Sequence, residues 1–149
     1  RLYGGGQERN MRAGTENLYG IVGFAKALEL TMERYQQDSA YIKNLKAYMI
    51  AQLQQHIPGI GFNGDYDGSC LYTVLNTSVP QSAKSEMLLF NLDIHGICVS
   101  GGSACSSQGS HVIAALKPDD PGVAVRFSFS RNNTMEEVDK VVEVLAGLV

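Results

Sequence analysis

The chain has 149 residues, 44% of them hydrophobic and 18% charged, with a formal net charge of −3. That length fits one domain able to bury about two-thirds of its unfolded surface, and no run of ~18 apolar residues offers a membrane span. No lysine–arginine cluster follows a predicted helix, which argues against a nucleic-acid footprint, and the three cysteines lack the spacing of a disulfide framework or a zinc site. A reducing cytoplasm is the compartment such cysteine usage fits.

In chain order, Arg1 opens a glycine- and arginine-rich stretch, RLYGGGQERNMRAGT, unlike a secretory leader. It reads as the middle of a longer polypeptide, of which this chain is expected to be the C-terminal part. Thr15 is the predicted cap of a first helix, with Leu18, Ile21, Val22, Ala25, Leu28 and Met32 on one face. Gly20 and Gly23 inside it cost roughly 1 kcal/mol each relative to alanine, so a closely packed neighbouring element is expected. A second helix is predicted from about Ser39 to His56, striped by Ile42, Leu45, Met49, Leu53 and Ile57 and stopped at Pro58-Gly59.

Residues 61–69 read as a turn-rich loop and residues 70–79, CLYTVLNTSV, as a strand ended by Pro80. Ser82 is the predicted cap of a third helix that carries Met87, Leu88, Phe90 and Leu92 and closes near Gly96. ICVS, residues 97–100, is a short predicted strand. HVIAALK is a short helix stopped by Pro118. In VAVRFSF, residues 123–129, Val123, Val125, Phe127 and Phe129 face one side, and Ala124, Arg126 and Ser128 the other. Thr134 with Glu137 three residues on is a capping box for a last helix. Three short strands and five helices in the order α-α-β-α-β-α-β-α predict an α+β fold, a small sheet covered mainly on one side by helices.

Three stretches carry candidate chemistry. Cys105 lies in VSGGSACSSQGS, where small neighbours give a thiol access and mobility, and a following helix brings a positive N-terminal dipole. The alternative is an unattached surface thiol. Cys70 and Cys98 lie among hydrophobes in predicted strands and read as buried structural residues. In GGGQERNMRAGTEN, residues 4–17, Arg9, Arg12 and a helix start at Thr15 would suit a phosphate, with an ordinary helix cap as the alternative. Arg126 either forks onto a carboxylate or is a solvated arginine on an open sheet face. His56, His95 and His111 show no metal spacing and read as surface or helix-end residues, although His111 is near enough in sequence to tune Cys105.

Taken together, GGGQERNMRAGTEN, VSGGSACSS and VRFSFSRNNTMEEVD, in that order, resemble the C-terminal part of the cysteine desulfurases. These are pyridoxal 5′-phosphate enzymes of aminotransferase class V, and the resemblance covers essentially the whole chain. It implies the small, mostly antiparallel α+β domain of a fold-type-I transferase over residues 17–149, with residues 1–16 leading in from a large cofactor domain. It implies that Cys105 takes sulfur from L-cysteine as a persulfide, leaving L-alanine. Arg126 would clamp the substrate carboxylate, and Thr15 would reach the cofactor phosphate of the neighbouring subunit in a homodimer. An iron–sulfur scaffold protein is the implied acceptor, with no resident metal beyond a transient iron–sulfur contact at Cys105.

The cofactor-binding lysine and the residues that hold the pyridine ring have no equivalent in this chain, so by itself it is expected to be inactive. The doubled glycine in SGGSAC, where the family often has serine-glycine, is expected only to loosen the loop. A selenocysteine lyase or another class V enzyme stays open as a second reading. A non-catalytic domain that docks a sulfur acceptor stays open as a third.

Overall fold

The computed structural model describes residues 2–102 and 110–149, so Cys105 and the expectations for its loop lie outside the described residues. The described chain forms α1 (Leu18–His56), β1 (Gly61–Phe62), β2 (Val74–Val79), α2 (Leu88–Ile94), α3 (His111–Leu116), β3 (Val123–Ser128) and α4 (Met135–Ala146). The expected α+β class holds. The sheet is three-stranded, ordered β1-β2-β3, and antiparallel throughout.

Two compact units divide the chain, one ending at Gln37 and the other running Asp38–Val149. In the second unit, the stripe of Ile42, Leu45, Met49 and Leu53 packs into one core with Leu75, Val79, Val125 and Phe127 of the sheet. Leu88 and Leu92 of α2 and Val138, Val142 and Leu145 of α4 complete it. The expected alternation of β3 is present: Val125 and Phe127 are buried, while Ser128 is exposed and Arg126 half-buried. Thr77 shares the core face of β2, and its buried hydroxyl donates to the Val125 carbonyl at 3.1 Å. That bond removes the cost of an unpaired hydroxyl in an apolar layer.

The α4 capping box forms as its sequence predicts. Glu137 N–H donates to Thr134 Oγ1 at 3.3 Å, and Thr134 N–H donates to Glu137 Oε2 at 3.1 Å. The three histidines also sit at helix ends as expected. Nδ1 of His56 lies 2.9 Å from the Gln52 carbonyl, Nδ1 of His95 lies 2.8 Å from that of Asn91, and His111 opens α3.

Several expectations are corrected. The first two predicted helices are one helix of 39 residues, so four α-helices, not five, occur among the described residues. No proline or glycine interrupts the Met32–Ser39 stretch, and the backbone hydrogen-bond ladder continues wherever nothing breaks it. That helix begins at Leu18, not at Thr15. Asn17 caps it instead, its Oδ1 accepting from Gly20 N–H at 3.0 Å. In the first unit the predicted apolar face is exposed along its length, from Leu18 (64%) to Met32 (69%). Gly23 has no described atom within 4 Å of a Cβ built on it, and Gly20 meets only the Asn17 side chain, so neither marks a close approach among the described residues.

The third strand is also a different one. ICVS forms no strand and contributes a single bridge, Ser100 to Arg126, while Gly61–Phe62, in the stretch expected to be loop, pairs with Ser78 and Thr77. The strand predicted from Cys70 starts only at Val74. Ser82 lies ahead of the third helix rather than capping it; its hydroxyl donates to the Leu148 carbonyl at 2.7 Å. Of that helix's predicted stripe, Leu88 and Leu92 are buried, but Met87 and Phe90 are exposed.

Candidate functional site

In the second unit, β3 holds Arg126 directly opposite Asn76 of β2, so the two side chains share the sheet face that does not meet the core. No other described residue hydrogen-bonds or ion-pairs with the Arg126 guanidinium. Asn63 Nδ2 donates to Asn76 Oδ1 at 2.8 Å, and Asn63 Oδ1 is left buried without a partner among the described residues. An unengaged guanidinium on β3 and an orphaned amide oxygen across β2 leave hydrogen-bonding capacity on this face that the described residues do not fill. The outward placement of Arg126 is legible from period-two alternation. Its pairing with Asn76 is not, because register depends on both strands.

The backbone of Arg126 carries the second feature of this site. Its N–H donates to the Ser100 carbonyl at 2.7 Å, and its carbonyl accepts from Ser100 N–H at 3.2 Å. The stretch that leads to Cys105 therefore starts beside the arginine. Gly101 explains the doubled glycine: a Cβ there would stand 3.0 Å from Leu89 Cδ2 and 3.2 Å from the Ala124 carbonyl oxygen. Gly102 follows at φ +86°, in the left-handed region that glycine enters without steric cost. The pair is thus a fitted crossing over the sheet edge, which corrects the expectation that it only loosens the loop. At the other end of the undescribed stretch, Ser110 caps α3, its hydroxyl accepting from Ile113 N–H at 3.4 Å.

In the first unit, Thr15 is exposed, and no described residue hydrogen-bonds to its hydroxyl. Gly14 before it takes φ +100°, and Gly14 N–H donates to Gln7 Oε1 at 3.2 Å. Arg12 is occupied within the segment: it pairs with Glu16 and donates to the Gly14 carbonyl at 2.7 Å. Glu8, Arg9 and Asn10 are three successive non-glycine residues with φ between 50° and 66°. Such a run is costly for L-residues and persists where surroundings over-determine it. Arg9 is exposed and bonds to no described side chain. A phosphate would thus find Thr15 and Arg9 available and Arg12 engaged, which fits one edge of a phosphate-bearing group.

The other two cysteines depart from the sequence reading. Cys98 is exposed rather than buried. It lies on a cleft of about 320 Å³ lined by Met49, Phe127, Phe129, Val138 and Lys140, among others, and not by Arg126. Cys70 is half-buried and bonds to Lys46, a buried lysine that hydropathy on a helix stripe does not flag. No helix among the described residues is long and apolar enough to cross a membrane.

The aminotransferase class-V family model matches residues 4–141. Cysteine desulfurase IscS of Clostridium botulinum (strain Hall) is 39% identical over 154 residues, covering 99% of this chain and 38% of that protein. The mitochondrial cysteine desulfurase of Arabidopsis thaliana is 37% identical over 148 residues, covering 96% of this chain and 32% of that protein. Among solved structures, a NifS-like protein from Rickettsia africae superposes with a TM-score of 0.77 at 26% identity, covering 99% of this chain and 39% of that one. The chain thus spans about two-fifths of the length of the curated bacterial relative it matches.

Proposed function

Because this chain belongs to the aminotransferase class-V family, we propose that the protein carrying it is a cysteine desulfurase, in which residues 17–149 form the small domain and residues 1–16 lead into it. L-cysteine and the Cys105 thiol become L-alanine and a Cys105 persulfide. The carbon–sulfur bond of the substrate breaks, a sulfur–sulfur bond forms, and the proton count is unchanged. Pyridoxal 5′-phosphate supplies, when bound, the electron sink that lets the carbon–sulfur bond break.

The observation that carries this reading is the bridge between Ser100 and Arg126. A guanidinium with no partner among the described residues is suited to fork onto the substrate carboxylate. The stretch bearing the receiving thiol departs from the same strand edge, so substrate anchor and sulfur acceptor share one scaffold. Thr15 would donate its hydroxyl to the cofactor phosphate, in a homodimer from the neighbouring subunit. A thiol flanked by glycine, serine and alanine suits hand-over to an acceptor protein, because no bulky neighbour shields it. An iron–sulfur scaffold in a cytoplasmic setting is the acceptor proposed.

Intact mass and peptide mapping of the complete protein after brief exposure to L-cysteine with the cofactor test this. The expected result is one added sulfur atom on Cys105, absent in Cys105→Ser, which keeps its cofactor absorbance. An active protein whose Cys105 stays unmodified would point instead to lyase chemistry without a sulfur carrier.

A further inference from the structure

Lys46 is a lysine in the wrong place for a surface cation. It lies on the apolar stripe of α1 between Leu45 and Met49 and is only 5% exposed. Buried ammonium groups are ordinarily paired with a carboxylate, because removing a charge from water is costly. Among the described residues no carboxylate forms an ion pair with Lys46. Its Nζ instead donates to Cys70 Sγ at 3.0 Å and to the Leu71 carbonyl at 3.2 Å. Cys70 is half-buried, and its sulfur has an amine in contact. Lys43, one turn earlier on α1, lies 5.6 Å from the Tyr72 ring centroid and helps hold the same segment against the helix.

We propose that Lys46 and Cys70 form a reversible covalent redox bridge, a sulfenamide, when the protein meets hydrogen peroxide. This inference stands apart from the desulfurase reading and uses neither Cys105 nor Arg126. The first step is ordinary thiol oxidation: the thiol and one peroxide give a sulfenic acid and one water. Peroxide is reduced and sulfur oxidised by two electrons. In the second step, Lys46 Nζ, having released its ammonium proton to water, gives its electron pair to the sulfur. The sulfur–oxygen bond breaks, and the hydroxyl leaves as water with a proton from nitrogen. A sulfenic acid condenses in this way with a backbone nitrogen, and here a side-chain nitrogen is already in contact with the sulfur before oxidation. The product retains one N–H, enough to keep the bond to the Leu71 carbonyl.

The bridge would pin α1 to the segment entering β2, closing a loop between positions 46 and 70 that carries β1. It would also stop Cys70 at a reversible stage, since a sulfur bonded to nitrogen is withheld from further oxidation to sulfinic acid. Thiols reverse it. One thiol attacks the sulfur and frees the Lys46 amine, leaving a mixed disulfide. A second thiol then releases Cys70.

The complete protein is reduced, treated with graded hydrogen peroxide, quenched by alkylation and mapped with trypsin. The expected species is the single peptide 44–84, which carries both Lys46 and Cys70, with a mass two hydrogen atoms below that of the same peptide uncleaved after Lys46. Cleavage after Lys46 is lost, and a dithiol reductant restores it. Cys70→Ala and Lys46→Gln each lack the species. Should Lys46→Gln fail to fold, Cys70→Ala and the map of the unsubstituted protein still decide. Cys70 recovered as free thiol, as sulfinic acid or as a disulfide with Cys98 or Cys105, without a link to Lys46, overturns the proposal.

Discussion

Arg126 is the residue whose environment speaks most directly to function. Its backbone N–H and carbonyl both bond to Ser100, Asn76 lies opposite it on β2, and its guanidinium is bonded to no other described residue. In the complete protein Arg126→Ala is expected to raise KM for L-cysteine at least tenfold, since losing one side of a desolvated charge-assisted pair costs about 2–5 kcal/mol. Steady-state kinetics over cysteine concentration measure it, and an unchanged KM removes Arg126 from the site. Asp120 is structural by contrast. Its carboxyl is held below the usual carboxylate range, first by the Gly122 N–H at 2.8 Å, then by the Ser78 hydroxyl at 2.9 Å and by the Lys117 ammonium. A folded-state value below the unfolded one means the carboxylate stabilises the fold at pH above the ordinary carboxylate range. That contribution fades as pH falls through the lowered value. Asp120→Asn should therefore lower Tm at neutral pH, with the difference shrinking toward about pH 2; a pH-independent difference would mean the charge is irrelevant.

At the scale of elements, what lay in local sequence was legible and what needed a partner was not. The α4 start could be read from Thr134 and Glu137 because both partners of a capping box lie within one turn. Thr134→Ala is expected to cost about 1 kcal/mol, read as a lower urea midpoint at unchanged slope. A shift indistinguishable from zero would mean that the neighbouring bond from Asn133 Nδ2 to Glu137 Oε2, 3.0 Å long, holds the cap without it. Leu18–His56 reads as two helices when the second is placed from about Ser39. Ser39 is in fact buried inside a continuous helix, and a side chain able to cap does so only where the helix actually ends. ICVS has the composition of a strand but pairs at one position only, whereas two residues, Gly61 and Phe62, become a strand because β2 offers them an edge.

For the whole molecule, the contrast lies between a packed unit and a helical segment whose apolar side chains are bare. Leu53 is fully buried and Leu28 is 54% exposed, although both sit at helical spacing on α1. In this chain Leu53→Ala is expected to cost about 2–5 kcal/mol by cavity formation and lost burial. Leu28→Ala should stay within about 0.5 kcal/mol, as unburied positions do. Denaturant titration of the two variants checks it, and equal costs would mean that the first unit carries a core of its own.

The sequence by itself determined the α+β class, the inward face of β3, the start of α4, the stripe from Ile42 to Leu53, and the motifs that resemble a cysteine desulfurase. Each is written in local periodicity, in caps that close within a turn, or in short runs of chemistry-bearing residues. Tertiary structure alone decided that Arg126 meets Ser100 and Asn76, that Gly101 must clear Leu89 and Ala124, and that a buried Lys46 rests on Cys70. Those pairs are 23 residues apart or more, except for Gly101 with Leu89. Register and packing between distant segments follow from the burial of a shared core, which no local pattern encodes.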